Sequence, residues 1–338
     1  MFLLGYHAQA QQNCADILKN AEKNFDDGKI FDVFNLLQPC IENGFSKADK
    51  IRAYKLIILS DLYADDIMHA EKYIVKLLLL DPDQELDYEN DPKEYINLME
   101  QFRRDPIYSI GAVVGPNLSF VYVTQPNNLD TSLKSYTPKL SFNFGITTEF
   151  LIKKGWQFGA EAHFLSLSYA YTDTKFGFAS SKYSENLSYL SIPLMLKKEF
   201  GAKRFKLYTS LGFNSKLLLS SKSSSTRTQF AGNTFSVEDL GIKQSRLRKR
   251  FVFEGLIGIG IKQRVGPGSL IIDSKFNLAL SNTIKLNQLD KAQSNDTDAR
   301  PILWSSYHID DLLTLNYFSI NIGYSYPFYN PKKLKRKK

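Results

Sequence analysis

Residues 250–262 read Arg250-Phe251-Val252-Phe253-Glu254-Gly255-Leu256-Ile257-Gly258-Ile259-Gly260-Ile261-Lys262. In an extended chain Phe251, Phe253, Ile257, Ile259 and Ile261 fall on one side, and Glu254, Gly258, Gly260 and Lys262 on the other. A period of two is the period of a strand. The pattern recurs from residue 107 to Phe328, giving eight strands in all, and no helix follows to cover their apolar faces. A barrel closed in lipid satisfies all of them, with apolar residues outward and polar ones in the lumen.

Working outward, the strands are expected near 107–122, 139–150, 156–169, 189–200, 205–217, 251–262, 270–280 and 315–328. The second sends Leu140, Phe142, Phe144, Ile146 and Phe150 outward and Ser141, Asn143, Gly145 and Glu149 inward. The third sends Trp156, Phe158, Ala160, Ala162 and Phe164 outward and Gln157, Gly159, Glu161 and His163 inward. The last ends in Phe318, Ile320, Ile322, Tyr324, Tyr326 and Phe328, an aromatic girdle for a membrane interface. Tight turns follow strands two, four and six: Lys153-Lys154-Gly155, Gly201-Ala202-Lys203-Arg204 and Arg264-Val265-Gly266-Pro267-Gly268. The other gaps run to about 16, 19, 33 and 34 residues, the arrangement of outer-membrane barrels with short periplasmic turns and long outer loops.

The fold class is therefore mainly β, an eight-stranded antiparallel transmembrane β-barrel preceded by an all-α periplasmic domain. The inward set includes Glu149, Glu161, His163, Lys197, Glu199, Lys206, Glu254, Lys262, Asp273 and Lys275. Eight strands leave a lumen that side chains can fill, so this polar network is expected to neutralise itself as a plug.

Residues 12–104 have helical spacing, with Asp91 expected as N-cap, Pro92 at N1 and Glu94 completing a capping box. Cys14 and Cys40 fall on successive helices, where an exported protein would join them by a disulfide; two inert buried thiols are the alternative. The pair 48–63 and 66–80 resembles a tetratricopeptide repeat through Ala70, Ile74, Leu77 and Pro82. That resemblance implies a protein-docking face, for which Tyr63, Ala70, Tyr73, Ile74 and Leu77 are the candidates. A helical cap without a ligand is the competing reading. Ala8-Gln9-Ala10 fits a signal-peptide cleavage site, although no basic region precedes it. The expected domains are thus 1–10 (signal remnant), 11–105 (helical), 106–328 (barrel) and 329–338 (basic tail).

The formal charge is +8, but Lys332, Lys333, Lys335, Arg336, Lys337 and Lys338 supply six of it, leaving +2 for the body. A tail alone is not a nucleic-acid face, so no nucleic-acid partner is expected. The tail suits anionic inner-leaflet head groups, or is a solvated end. No apolar run is long enough for a transmembrane helix.

Little here points to catalysis. Gly255-Leu256-Ile257-Gly258-Ile259-Gly260 lies mid-strand with no helix behind it, so its glycines are small lumen residues rather than a phosphate loop. His163 sits beside Glu161, but Ser166 and Ser168 point to the opposite face, and the four histidines lack ligand spacing. No catalytic residue, cofactor or metal is expected. The Ser-rich stretch 220–225 reads as a flexible loop, and Arg246-Leu247-Arg248-Lys249-Arg250 as a contact for lipopolysaccharide. Trp304, Tyr307, Asp310 and Asp311 suggest a surface patch for a partner.

Tyr189-Leu190-Ser191-Ile192-Pro193-Leu194-Met195-Leu196-Lys197-Lys198, the Phe200-Gly201 turn and Asn321-Ile322-Gly323-Tyr324-Ser325-Tyr326-Pro327-Phe328 resemble the PorT-like outer-membrane barrel family of Bacteroidetes. The resemblance covers 107–338 and implies a part in type 9 secretion. The expectation is a non-enzymatic accessory subunit of a secretion or outer-membrane assembly complex, docking outer-membrane or periplasmic proteins. A small-solute channel and a lipid-acting barrel enzyme are the alternatives.

Overall fold

The computed structural model describes residues 4–82, 84, 86–126, 133–153, 155–175, 179–201, 204–229, 235–285 and 310–334. They fall into two compact units, Met1–Ile107 with Phe328–Lys338, and Tyr108–Pro327.

The first unit holds α1 (Leu4–Asp26), α2 (Ile30–Ile41), α3 (Lys47–Tyr63), α4 (Ile67–Leu80) and α5 (Lys93–Glu100). Ser46 caps α3 by accepting from the Asp49 amide, and Asp66 caps α4 by accepting from the His69 amide. Helical spacing brings Val33 and Leu37 of α2, Ala53 and Ile57 of α3, and Ile74 and Leu77 of α4 into one core. A disulfide joins Cys14 to Cys40 across α1 and α2. Burial corrects the docking assignment. Ala70, Tyr73, Ile74 and Leu77 lie inside this core, because their apolar stripe closes the unit itself; only Tyr63 is exposed. The capping box at α5 is also absent. Pro92 occupies the cap position without a side-chain bond, while the Asp91 carboxylate accepts from Lys55 and from the Asp87 amide. The tail differs from the head-group expectation as well. Phe102 bridges Lys333, the Leu334 amide donates to Gln101, and Lys333 pairs with Glu71, so residues up to 334 clasp the helical unit. Residues 335–338 lie outside the described set.

The second unit is a closed antiparallel sheet. Its strands are β1 (Tyr108–Gln125), β2 (Leu133–Lys153), β3 (Trp156–Lys175), β4 (Ala179–Phe200), β5 (Phe205–Gln229), β6 (Phe235–Lys243), β7 (Phe251–Val265), β8 (Gly268–Ala279) and β9 (Leu312–Phe328). The order β4-β3-β2-β1-β9-β8-β7-β5, closed by β4–β5, makes an eight-stranded barrel. The ninth strand, β6, was not expected; it pairs with the far end of β5 alone. One outward row runs Tyr108, Phe150, Phe158, Leu196, Leu211, Ile257, Phe276 and Phe318 around the wall. The close approach of Gly111 to Ser325 and Gly115 to Asn321 places Phe318 beside Leu118, so the row returns to β1 about ten residues from its start, a stagger that tilts the strands by about 40°.

The strands are longer than a membrane requires, since 9–11 tilted residues suffice, and β5 alone has 25. Their polarity inverts along the length. On β3 the outward residues are Trp156, Phe158, Ala160, Ala162 and Phe164, then Ser166, Ser168, Ala170, Thr172 and Thr174. The inward ones pass from Gln157, Glu161 and His163 to Leu165, Leu167, Tyr169 and Tyr171. The next two strands, β4 and β5, switch at the same level, because Phe164 pairs with Leu190 and Leu190 with Leu217, while Leu165 pairs with Tyr189 and Tyr189 with Leu218. Toward the short turns the barrel is apolar outside and charged inside. Toward the long loops it is hydroxyl-rich outside and closed around an apolar core of Leu165, Leu167, Leu187, Tyr189, Leu313 and Leu315.

Candidate functional site in the barrel lumen

Inward positions on β2, β3, β4, β5, β7 and β8 converge because period two assigns alternate residues to one wall. Glu149 accepts from Lys197 Nζ at 2.8 Å and Lys262 Nζ at 2.6 Å. Glu161 accepts from Lys275 Nζ at 2.6 Å, with His163 Nε2 2.7 Å from the same oxygen. Glu199 binds Lys262 at 2.6 Å and Lys206 at 3.0 Å. Asp273 meets Lys275 at 3.2 Å, the Asn321 amide at 2.7 Å and the Tyr208 hydroxyl at 3.1 Å. One step further from the short turns, Lys216 pairs with Glu254, which also accepts from Asn214 at 2.8 Å. Lys216 lies over the Tyr189 and Tyr317 rings as well. Five carboxylates therefore face five lysines among the described residues of this stretch, each in at least one ion pair.

The inward charged residues named from the sequence lie in this network: Glu149, Glu161, His163, Lys197, Glu199, Lys206, Glu254, Lys262, Asp273 and Lys275. Sequence reading omitted Lys216; it turned Gln157, which accepts from Lys262, inward but did not assign Tyr208, Asn214 or Asn321 to the lumen. Lys216 falls within the expected strand 205–217 and on the same face as Lys206, so the period-two pattern could have found it. Between the lower charges and the Glu254 pair lies a cavity of about 20 Å³, lined among others by Asn143, His163, Ser191, Asn277, Tyr317 and Asn321. That space suits one ordered water, and the Oδ1 atoms of Asn277 and Asn321 lack a protein partner for it to satisfy. Ser166 and Ser168 lie on the outward face of β3, on the other side from His163. Among the described residues no three His, Cys, Asp or Glu side chains are grouped to hold a metal.

The long-loop end of the lumen is closed by a second cluster. Arg248 bridges to Ile284, and the Lys249 amide donates to Thr283, which folds residues 247–250 and 283–285 into the mouth. Arg248 is 1% exposed. Its guanidinium donates to both oxygens of Glu185, at 2.8 and 2.7 Å, and to both oxygens of Asp310, at 2.5 and 3.1 Å. Glu185 also accepts from the Tyr169, Tyr183 and Ser221 hydroxyls.

Three loop expectations change accordingly. Residues 220–225 belong to β5, paired with β4 and β6, since alternating inward and outward serines fit a sheet with one wet face. Arg248 turns away from solvent to its buried carboxylates, which removes it from the lipopolysaccharide contact. Asp310 and Asp311 face Arg248 and Tyr136 rather than a surface partner; Trp304 and Tyr307 lie outside the described residues.

Solved barrels resemble the chain only distantly. Outer membrane protein OprG of Pseudomonas aeruginosa is 10% identical with a TM-score of 0.33, covering 66% of this chain and 98% of that one. Neisserial surface protein A gives 11% identity and a TM-score of 0.31, covering 68% and 97%. The outer membrane enzyme PagL gives 12% and 0.23, covering 65% and 99%. Comparison with curated proteins finds no match. The sequence model of the outer membrane protein beta-barrel domain, in contrast, matches residues 100–285, more than half of the chain. This chain belongs to that outer-membrane barrel family.

Proposed function

We propose that this outer-membrane barrel is a non-enzymatic accessory subunit of a secretion or outer-membrane assembly complex, with its helical unit receiving a protein partner in the periplasm. The observation that carries the reading is the filled lumen. A solute channel needs a continuous wet path, whereas five lysines and five carboxylates are spent on each other here and Arg248 closes the mouth. The rule of short turns inside and long loops outside supports a periplasmic short-turn end, where Tyr108 enters and Pro327 leaves. Both termini and the helical unit then belong to the periplasm.

The PorT-like resemblance at 189–198 and 321–328 favours a type 9-like secretion machine. Two successive helical hairpins, α1–α2 and α3–α4, favour the tetratricopeptide-like reading of the helical unit. Exposed Arg246 and Arg250 remain as contacts for lipopolysaccharide beside the mouth.

Two measurements test this together. Extraction in mild detergent, with a tag after Lys338, is expected to bring down other outer-membrane or periplasmic proteins in fixed ratio. The same material in planar bilayers is expected to show no stepwise conductance. A monodisperse monomer would sink the accessory role, and discrete channel openings would return the lumen to transport.

A further inference from the structure

The helical unit leaves large apolar side chains in water at one end. Phe31 is 77% exposed, Tyr63 62%, Ile67 48% and Met68 86%. Contacts beneath them show that they share one end. Phe25, closing α1, packs on Tyr63, closing α3, with ring centroids 5.7 Å apart. Phe34 of α2 meets His69 in the first turn of α4 at 5.0 Å. The turns α1–α2 and α3–α4 are therefore side by side, and each exposed apolar residue lies within one helical turn of these contacts.

Charge decides what fits there. Residues 26–32 and 61–68 carry Asp26, Asp27, Asp32, Asp61, Asp65 and Asp66 against the single Lys29, in a protein whose net charge is +8. Asp66 caps α4 and Asp61 binds the His69 ring. Asp26, Asp27 and Asp65 are solvent-exposed and neither cap a helix nor pair with a cation in the described set. Acidic residues interspersed with exposed apolar ones repel anionic lipid head groups and would repel a second copy of this end. It complements a segment that offers both cations and an apolar stripe, as a basic amphipathic helix does.

We propose that this end of the helical unit is the docking surface for a basic amphipathic segment of a partner protein. The proposal rests on the accessory role above and moves its contact from the buried stripe of α4 to Phe31, Tyr63, Ile67 and Met68.

The test uses the full chain in nanodiscs of zwitterionic lipid and a labelled synthetic helix with one Lys face and one Leu face. Its counterpart with Glu for Lys is the control. Fluorescence anisotropy should show saturable binding of the Lys peptide only, weakening with salt. Phe31→Ser with Met68→Ser, and separately Asp26→Lys with Asp27→Lys, should each weaken it at least tenfold. These sites are exposed, and an unchanged thermal melt verifies the fold. Equal binding of both peptides, or variants that bind like the parent, would overturn the proposal. Peptide binding without any co-purified partner would spare this surface and remove the accessory role. An intact complex recovered with the Phe31→Ser, Met68→Ser variant would do the reverse.

Discussion

Lys197 shows how single residues hold the lumen. Its ammonium serves Glu149 at 2.8 Å and Glu161 at 3.5 Å, with the Tyr208 ring 5.1 Å away. Replacing it by Met leaves two buried carboxylates short of a cation, a loss of about 3–5 kcal/mol by analogy with broken buried pairs. Urea unfolding in lipid checks this; a change under 1 kcal/mol would mean that water already screens the site. Asp87 acts at the opposite extreme of exposure. Its carboxylate accepts from the Asn90 side chain and from the Asn90 and Glu89 amides, bonds that hold its pKa below the ordinary 3.8. A depressed pKa in the folded state means stabilisation present above the unfolded value and lost as pH falls through the folded one. The Asn90 amide shift should therefore titrate below pH 3.8, and Asp87→Asn should abolish that step.

At the scale of the element, β4 passes through two solvents. Leu194, outward among apolar neighbours, becomes a lipid-facing charge in Leu194→Arg, at a cost of about 2–4 kcal/mol near the midplane. Ser188 lies on the same outward face, in a row with Ser166 and Ser220, and Ser188→Arg should cost close to nothing. Leu187, beside it but inward and fully buried, should lose about 2–5 kcal/mol on Leu187→Ala. Refolding each variant into vesicles and measuring urea midpoints checks the order; equal penalties at 188 and 194 would erase the boundary.

That boundary was written in the chain. Apolar residues occupy even positions from Trp156 to Phe164, then odd positions from Leu165 to Tyr171, with the reverse switch at Tyr189 and Leu190. Period two found every barrel strand, but only the phase of that period tells where lipid ends: the expected strands 189–200 and 205–217 stop at the phase change, while 156–169 runs past it. Arg248 was beyond such reading, because its partners Glu185 and Asp310 are 63 and 62 residues away and only closure of the mouth joins them. The buried stripe of α4 misled for a related reason: an apolar face signals burial without naming what buries it.

The whole molecule joins a disulfide-tied helical unit to a barrel that is charged at its core. Cys14–Cys40 spans 26 residues, for which chain entropy gives about 3–4 kcal/mol. Reduction should lower the melting of the helical unit and leave the barrel transition in place, as read by circular dichroism at helix and strand wavelengths. A parallel fall of both would show that the units unfold as one.

The inverted polarity of the barrel also fixes how its two halves answer to temperature. Opening the long-loop end releases Leu165, Leu187 and Leu313 into water, which raises the heat capacity, whereas opening the charged lumen hydrates ions, which lowers it. Apolar burial weakens on cooling. In the cold, the apolar core at the long-loop end therefore loses strength, and the heat-capacity changes of the two ends keep opposite signs.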